Sequence, residues 1–97
     1  METRKLGKDG PQVPVMCFGA WGISGIMGSI ADDQAVAVAE AALDVGMTFI
    51  DTAESYGTEG VVGGAIKGQR DQVFVATKIS PYRFRRSDVI RAADDSL

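Results

Sequence analysis

The sequence predicts an α/β fold in which parallel strands alternate with covering helices. Three observations carry this expectation. Short β-prone apolar runs recur at residues 15–19, 47–51 and 73–77, stretches of helical periodicity follow each of them, and the connections are long enough for parallel crossovers. Strand, helix, strand, helix, strand, helix at this spacing implies a parallel sheet with right-handed crossovers and helices on at least one face.

A hairpin comes first, over residues 4–14. Gly7-Lys8-Asp9-Gly10-Pro11 is a strong turn signal between two short extended pieces, 4–6 and 12–13. Val15 to Gly19 reads as a buried strand, with Cys17 as a small core hydrophobe, and the glycines at 19, 22, 25 and 28 mark the stretch after it as a loop. From Asp33 to Val45 the charged residues Asp33, Glu40 and Asp44 share one stripe while Ala35, Val38, Ala39 and Ala42 line another, the pattern of an amphipathic helix. Asp32 and Asp33 are placed to cap it, and Gly46 lies just past its end. Met47 to Asp51 is the second strand. Thr58 opens a second helix through Lys67, although Gly60, Gly63 and Gly64 inside it cost roughly 3 kcal/mol together relative to alanine. Val73 to Thr77 is the third strand, and the second and third strands are expected to be buried on both faces. Ser87 and Asp88 open a third helix whose apolar positions are Val89, Ile90, Ala93 and Leu97.

Composition narrows the function classes. Hydrophobic residues make up 45% and charged residues 24% of the 97, which is the balance of a chain with a core and no disordered bias. A formal charge of −3 gives no electrostatic ground for nucleic acid or an anionic membrane as partner, and no run approaches the length of a membrane span. One cysteine cannot form an internal disulfide, which fits a reducing compartment and a cytoplasmic location. No metal site is expected.

The chemistry-bearing residues fall at the carboxyl ends of the predicted strands, where such folds place their sites: Asp51 closes the second strand, Tyr56 lies in the loop after it, and Lys78 closes the third. A tyrosine titrates near pH 10 when unperturbed, so proton donation at neutral pH becomes easier beside a cation that stabilises the developing phenolate. Lys78 suits that role, and Asp51 would keep a partly buried lysine charged and oriented. As isolated residue types, the three would read as a solvated ion pair and a rim tyrosine.

Their surroundings say more. Phe49-Ile50-Asp51-Thr52-Ala53-Glu54-Ser55-Tyr56-Gly57, Ala76-Thr77-Lys78 and Phe18-Gly19-Ala20-Trp21-Gly22 together resemble the aldo-keto reductase family, with its Asp-Thr-Ala-x-x-Tyr-Gly segment, its Thr-Lys and its Gly-Thr-Trp-like turn. The opening Arg-Lys-Leu-Gly, Glu59 with Gly63, and Ser96-Leu97 are similar to further family features, so the resemblance spans nearly the whole chain. It implies the first three βα units of an eight-fold TIM barrel over residues 15–97, behind a hairpin that plugs the barrel floor. It implies also an NADPH-dependent reductase of small-molecule aldehydes and ketones, with Asp51, Tyr56 and Lys78 in the catalytic tetrad and Tyr56 as proton donor. Gly19, Ala20, Trp21 and Asp51 would face the cofactor, and Trp21 and Tyr56 the substrate.

The departures are specific. Ala20 stands where many relatives have threonine, which removes a hydroxyl near the nicotinamide. The family's catalytic histidine follows a fourth strand, and this chain has no histidine, so the expectation is an incomplete barrel without activity of its own, short of the roughly 250 residues of a full one. Two other readings stay open. A non-catalytic barrel could bind or regulate, although nothing in the retained triad favours it. A Rossmann-type unit could use Asp51 at the ribose, but its glycines would have to open a helix directly, and the hairpin has no place in it. Arg83, Arg85 and Arg86 with Tyr82 and Phe84 read as a solvated loop face, and Glu54 as a surface residue.

Overall fold

A computed structural model describes residues 1–97. β1 (Thr3–Lys5) and β2 (Gln12–Pro14) form the antiparallel hairpin, with Arg4 opposite Val13. Its turn depends on glycine: Gly7 sits at φ +72°, and a Cβ on Gly10 would fall 1.8 Å from the Leu6 carbonyl oxygen. β3 (Phe18–Gly19), β4 (Phe49–Asp51) and β5 (Phe74–Ala76) form a parallel sheet in that order. Phe18 pairs with Ile50 and Gly19 with Asp51, while Phe49, Ile50 and Asp51 pair with Phe74, Val75 and Ala76.

Strand alternation divides this sheet into two unlike faces. Ile50, fully buried, centres the helix-covered face with Ala20, Leu43, Val62 and Val73, and Phe18 and Val75 pack against that cluster. The other face carries Phe49 and Phe74, whose rings meet edge to face at 5.2 Å and remain half-buried. The strands are therefore covered on one face only, contrary to the expectation from their apolar composition. Residues 15–17 are likewise not strand. Val15, Met16 and Cys17 are exposed, because β3 is an edge strand that pairs only at Phe18 and Gly19, so Cys17 is not a core residue.

α1 (Asp32–Asp44) buries Ala35, Ala39, Ala42 and Leu43, while Val38 faces out. Its end is a Schellman motif: Gly46 at φ +91° donates to the Leu43 carbonyl at 2.9 Å, and Met47 donates to that of Ala42 at 3.0 Å. Neither aspartate caps its start. Ala31 is the N-cap residue, Asp33 accepts from the Gln34 N–H at 2.9 Å, and both acids act through the helix dipole. α2 (Glu59–Ala65) packs on α1, with Gly64 placed so that a Cβ would meet Val36 at an ordinary 3.6 Å. α3 (Arg86–Ser96) starts after Arg85 with no side-chain cap from Ser87 and buries only Ala92. Val89, Ile90, Ala93 and Leu97, its expected apolar face, are exposed, and a groove of about 460 Å³ separates it from α2. No helix is long and apolar enough to cross a membrane.

Candidate active site

Register brings the site together. Because β4 and β5 pair through Asp51 and Ala76, the ladder continues past both strands: the Thr52 N–H donates to the Ala76 carbonyl at 2.8 Å and the Glu54 N–H to that of Lys78 at 3.0 Å. Lys78 is thereby set beside the end of β4. Its ammonium donates to Asp51 Oδ1 and to the Thr52 carbonyl, both at 2.7 Å, and lies 5.0 Å from the centroid of the Tyr56 ring. The hydrogen bond it donates to Asp51 pushes the lysine pKa above its ordinary value against the opposing cost of desolvation, and the charge of Asp51 and the neighbouring Tyr56 add to it. Lys78 stays cationic at neutral pH. The ion pair is more open than expected of a partly buried pocket, since the side chains are 51% and 38% exposed, so it contributes little to stability and matters for position.

The Tyr56 loop is closed at its base by two threonines whose pairing the sequence does not announce. Thr52 and Thr58, both buried, share a hydroxyl–hydroxyl hydrogen bond of 2.8 Å, so Thr58 stands at the N-cap position of α2 as expected but its hydroxyl staples the loop and makes no cap hydrogen bond. Between them Glu54–Tyr56 forms one 3₁₀ turn, and Gly57 at φ +68° turns the chain toward α2. The hydroxyl of Thr77 donates to Glu59, tying the end of β5 to the start of α2. Glu54 is not a free surface residue. Its Oε2 accepts from the Ser80 N–H at 2.9 Å, and its Oε1 accepts from Arg83 Nε at 3.1 Å and Nη2 at 2.6 Å. The Ser80 N–H first and then Arg83 hold its carboxyl below the usual carboxylate range. Arg83 is correspondingly engaged, whereas Tyr82 and Phe84 beside it are almost fully exposed. One signal was available: loops that follow adjacent parallel strands run side by side, so an acid in one and an arginine in the other are natural partners.

The profile of the Aldo/keto reductase family matches residues 15–97. The chain belongs to the aldo-keto reductase family. It is 42% identical over 84 residues to the aldo-keto reductase YhdN of Bacillus subtilis, covering 80% of this chain and 25% of that protein. A thermostable aldo-keto reductase, Tm1743, solved with the inhibitor epalrestat, superposes with a TM-score of 0.89 at 36% identity over 100% of this chain and 38% of its own. A Bombyx mori aldo-keto reductase solved with NADP superposes with a TM-score of 0.80 at 29% identity, over 99% of this chain and 33% of its own. The chain thus spans about a quarter to a third of the length of the curated relatives it matches. What the chain shares with these structures is the α/β portion of the reductase fold that it spans.

Within this aldo-keto reductase the remaining expected contacts are placed unevenly. Gly19 is exposed and pairs with Asp51, and Trp21 is 49% exposed in the 3₁₀ turn Ala20–Ile23, where Ser24 Oγ donates to its carbonyl at 2.6 Å. Ala20 has no exposed surface and belongs to the core cluster, so its methyl group is not on the open face shared by Asp51, Tyr56 and Lys78. Cys17 is exposed, but its thiol titrates above the ordinary value because neighbouring atoms shed water from the sulfur and Asp51 lies near, so it is no activated nucleophile. Gly19, Trp21 and Asp51 thus lie at the same end of the sheet as Tyr56 and Lys78. Lys78 and Arg83 are already paired with Asp51 and Glu54.

Proposed function

We propose that this chain supplies the proton-donating part of an NADPH-dependent reductase of aldehydes and ketones, and that β3 through α3 are the first three βα units of its barrel, behind the hairpin. The observation that carries the reading is the Lys78 ammonium held 2.7 Å from Asp51 and 5.0 Å from the Tyr56 ring. Gly19, Trp21 and Asp51 would hold the nicotinamide end of NADPH, which when bound would supply hydride to the carbonyl carbon. Tyr56 gives its phenolic proton to the carbonyl oxygen, the product is the alcohol, and Tyr56 is reprotonated from solvent. Lys78 stabilises the negative charge that develops on the phenol oxygen, and Asp51 keeps the lysine charged and aimed. Trp21 offers an apolar wall to the substrate. The tetrad's histidine has no counterpart among these residues, so the 97-residue chain alone is inactive.

The test is a chimera in which residues 1–97 replace the matching 38% of the thermostable reductase. Purified chimera is assayed for NADPH oxidation with a panel of aldehydes. Turnover that disappears in Tyr56→Phe supports the reading, and a folded chimera that turns over equally well with and without the hydroxyl refutes it.

A further inference from the structure

We infer that Glu54 is a positioning residue, which clamps the loop carrying Tyr56 to the segment carrying Lys78 and so fixes the spacing between phenol and ammonium. The inference rests on the proposed reductase reading. Tyr56 and Lys78 belong to different loops, and the two ammonium hydrogen bonds of Lys78 run to Asp51 and to the Thr52 carbonyl. The 5.0 Å spacing from ammonium to ring is therefore set by how the two loops lie against each other.

Glu54 is the residue that sets this. It makes four hydrogen bonds to residues 78–83: its N–H to the Lys78 carbonyl, Oε2 from the Ser80 N–H, and Oε1 from both Nε and Nη2 of Arg83. It also stands two residues before Tyr56 in the same 3₁₀ turn, so a shift of Glu54 moves the tyrosine with it. The Thr52–Thr58 pair closes the loop at its base and leaves the tip free, and Glu54 ties the tip. With the Glu54 side chain 23% exposed and that of Arg83 35%, the pair is better shielded from solvent than the Arg4–Glu2 pair on the hairpin, at 77% and 66%. A forked guanidinium on one oxygen leaves the other oxygen for Ser80, a geometry that a lysine ammonium does not reproduce.

The experiment uses the chimeric reductase that contains the whole chain. Glu54→Ala, Glu54→Gln and Arg83→Gln are compared with Arg4→Ala as a control ion-pair deletion and Tyr56→Phe as the catalytic reference, each checked by a thermal melt. Loss of positioning should lower kcat roughly ten- to a hundredfold in Glu54→Ala while KM stays within about twofold. Glu54→Gln, which still accepts from the Ser80 N–H, should retain more turnover than Glu54→Ala, and Arg4→Ala should match the parent. Should Glu54→Ala fail to fold, Glu54→Gln and Arg83→Gln carry the same comparison. If Glu54 and Arg83 variants keep the parent kcat while Tyr56→Phe abolishes turnover, the clamp is overturned and the reductase reading stands. If Tyr56→Phe keeps full turnover, both fall.

Discussion

Made alone, the 97-residue chain should self-associate. Its accessible surface is 6586 Å² for 10.2 kDa, whereas a compact monomer of that mass exposes about 5,300 Å². The radius of gyration is 14.0 Å against about 12.5 Å for a compact chain of this length. The excess is about 1,300 Å², somewhat over half of it apolar, and each 100 Å² of apolar surface left uncovered forgoes about 2.5 kcal/mol, in a domain whose net stability is only about 5–15 kcal/mol. The structure shows where the excess lies: on the Phe49–Phe74 face of the sheet, on the unpaired edges of β3 and β5, and on Val89 and Ile90 of α3 with Leu97 just past its end. A standard interface covers roughly 800 Å² per partner, so one contact between two copies does not cover the excess and association should continue beyond a dimer. Size-exclusion chromatography with light scattering, followed by a urea melt, measures this. A monodisperse monomer with one cooperative transition would refute the reasoning and show that the chain covers its sheet in another way.

Three further outcomes follow. The isolated chain should give the no-protein rate of NADPH oxidation with any aldehyde tested, and turnover that Tyr56→Phe removes would contradict this. In the chimera Ile50→Ala, at the fully buried centre of the sheet, should cost about 2–5 kcal/mol in a urea melt, and a loss below about 1 kcal/mol would mean that the core is not centred there. Because its folded pKa is raised, the contribution of Lys78 is fully present below its unfolded value near 10.4 and is lost as pH rises through the folded one. A Lys78→Met variant compared with parent from neutral to strongly alkaline pH should therefore show a constant difference that shrinks only above about pH 10; a difference that shrinks around pH 7 would contradict the assignment.

The parts of the fold that local rules determine were legible in the sequence. Gly10 and Gly7 announced the hairpin, Gly46 announced the end of α1, and the runs around Ile50 and Val75 announced parallel strands. What misled was burial. Val15-Met16-Cys17 and the stripe Val89-Ile90-Ala93-Leu97 have core composition, yet they are exposed because no neighbouring element covers them, and composition cannot report on a neighbour. Caps failed for a related reason. Asp33, Thr58 and Ser87 are all good capping residue types, but none makes a side-chain cap hydrogen bond: Asp33 and Ser87 lie inside their helices, and Thr58, at the N-cap position, gives its hydroxyl to Thr52 across the loop. At the site, Asp51, Tyr56 and Lys78 were found because strand ends are where such folds do chemistry. Glu54 escaped because its partners, Ser80 and Arg83, are 26 and 29 residues away and only the register of β4 with β5 brings them near.

The central claim is that Tyr56 is the proton donor and Lys78 its electrostatic support. Its most direct test is steady-state kinetics of the chimeric reductase and its Tyr56→Phe variant with one aldehyde under saturating NADPH. The account predicts a kcat lowered by roughly a hundredfold or more with KM little changed, since the lost interaction exists only in the transition state. A folded Tyr56→Phe variant with the parent kcat would contradict it.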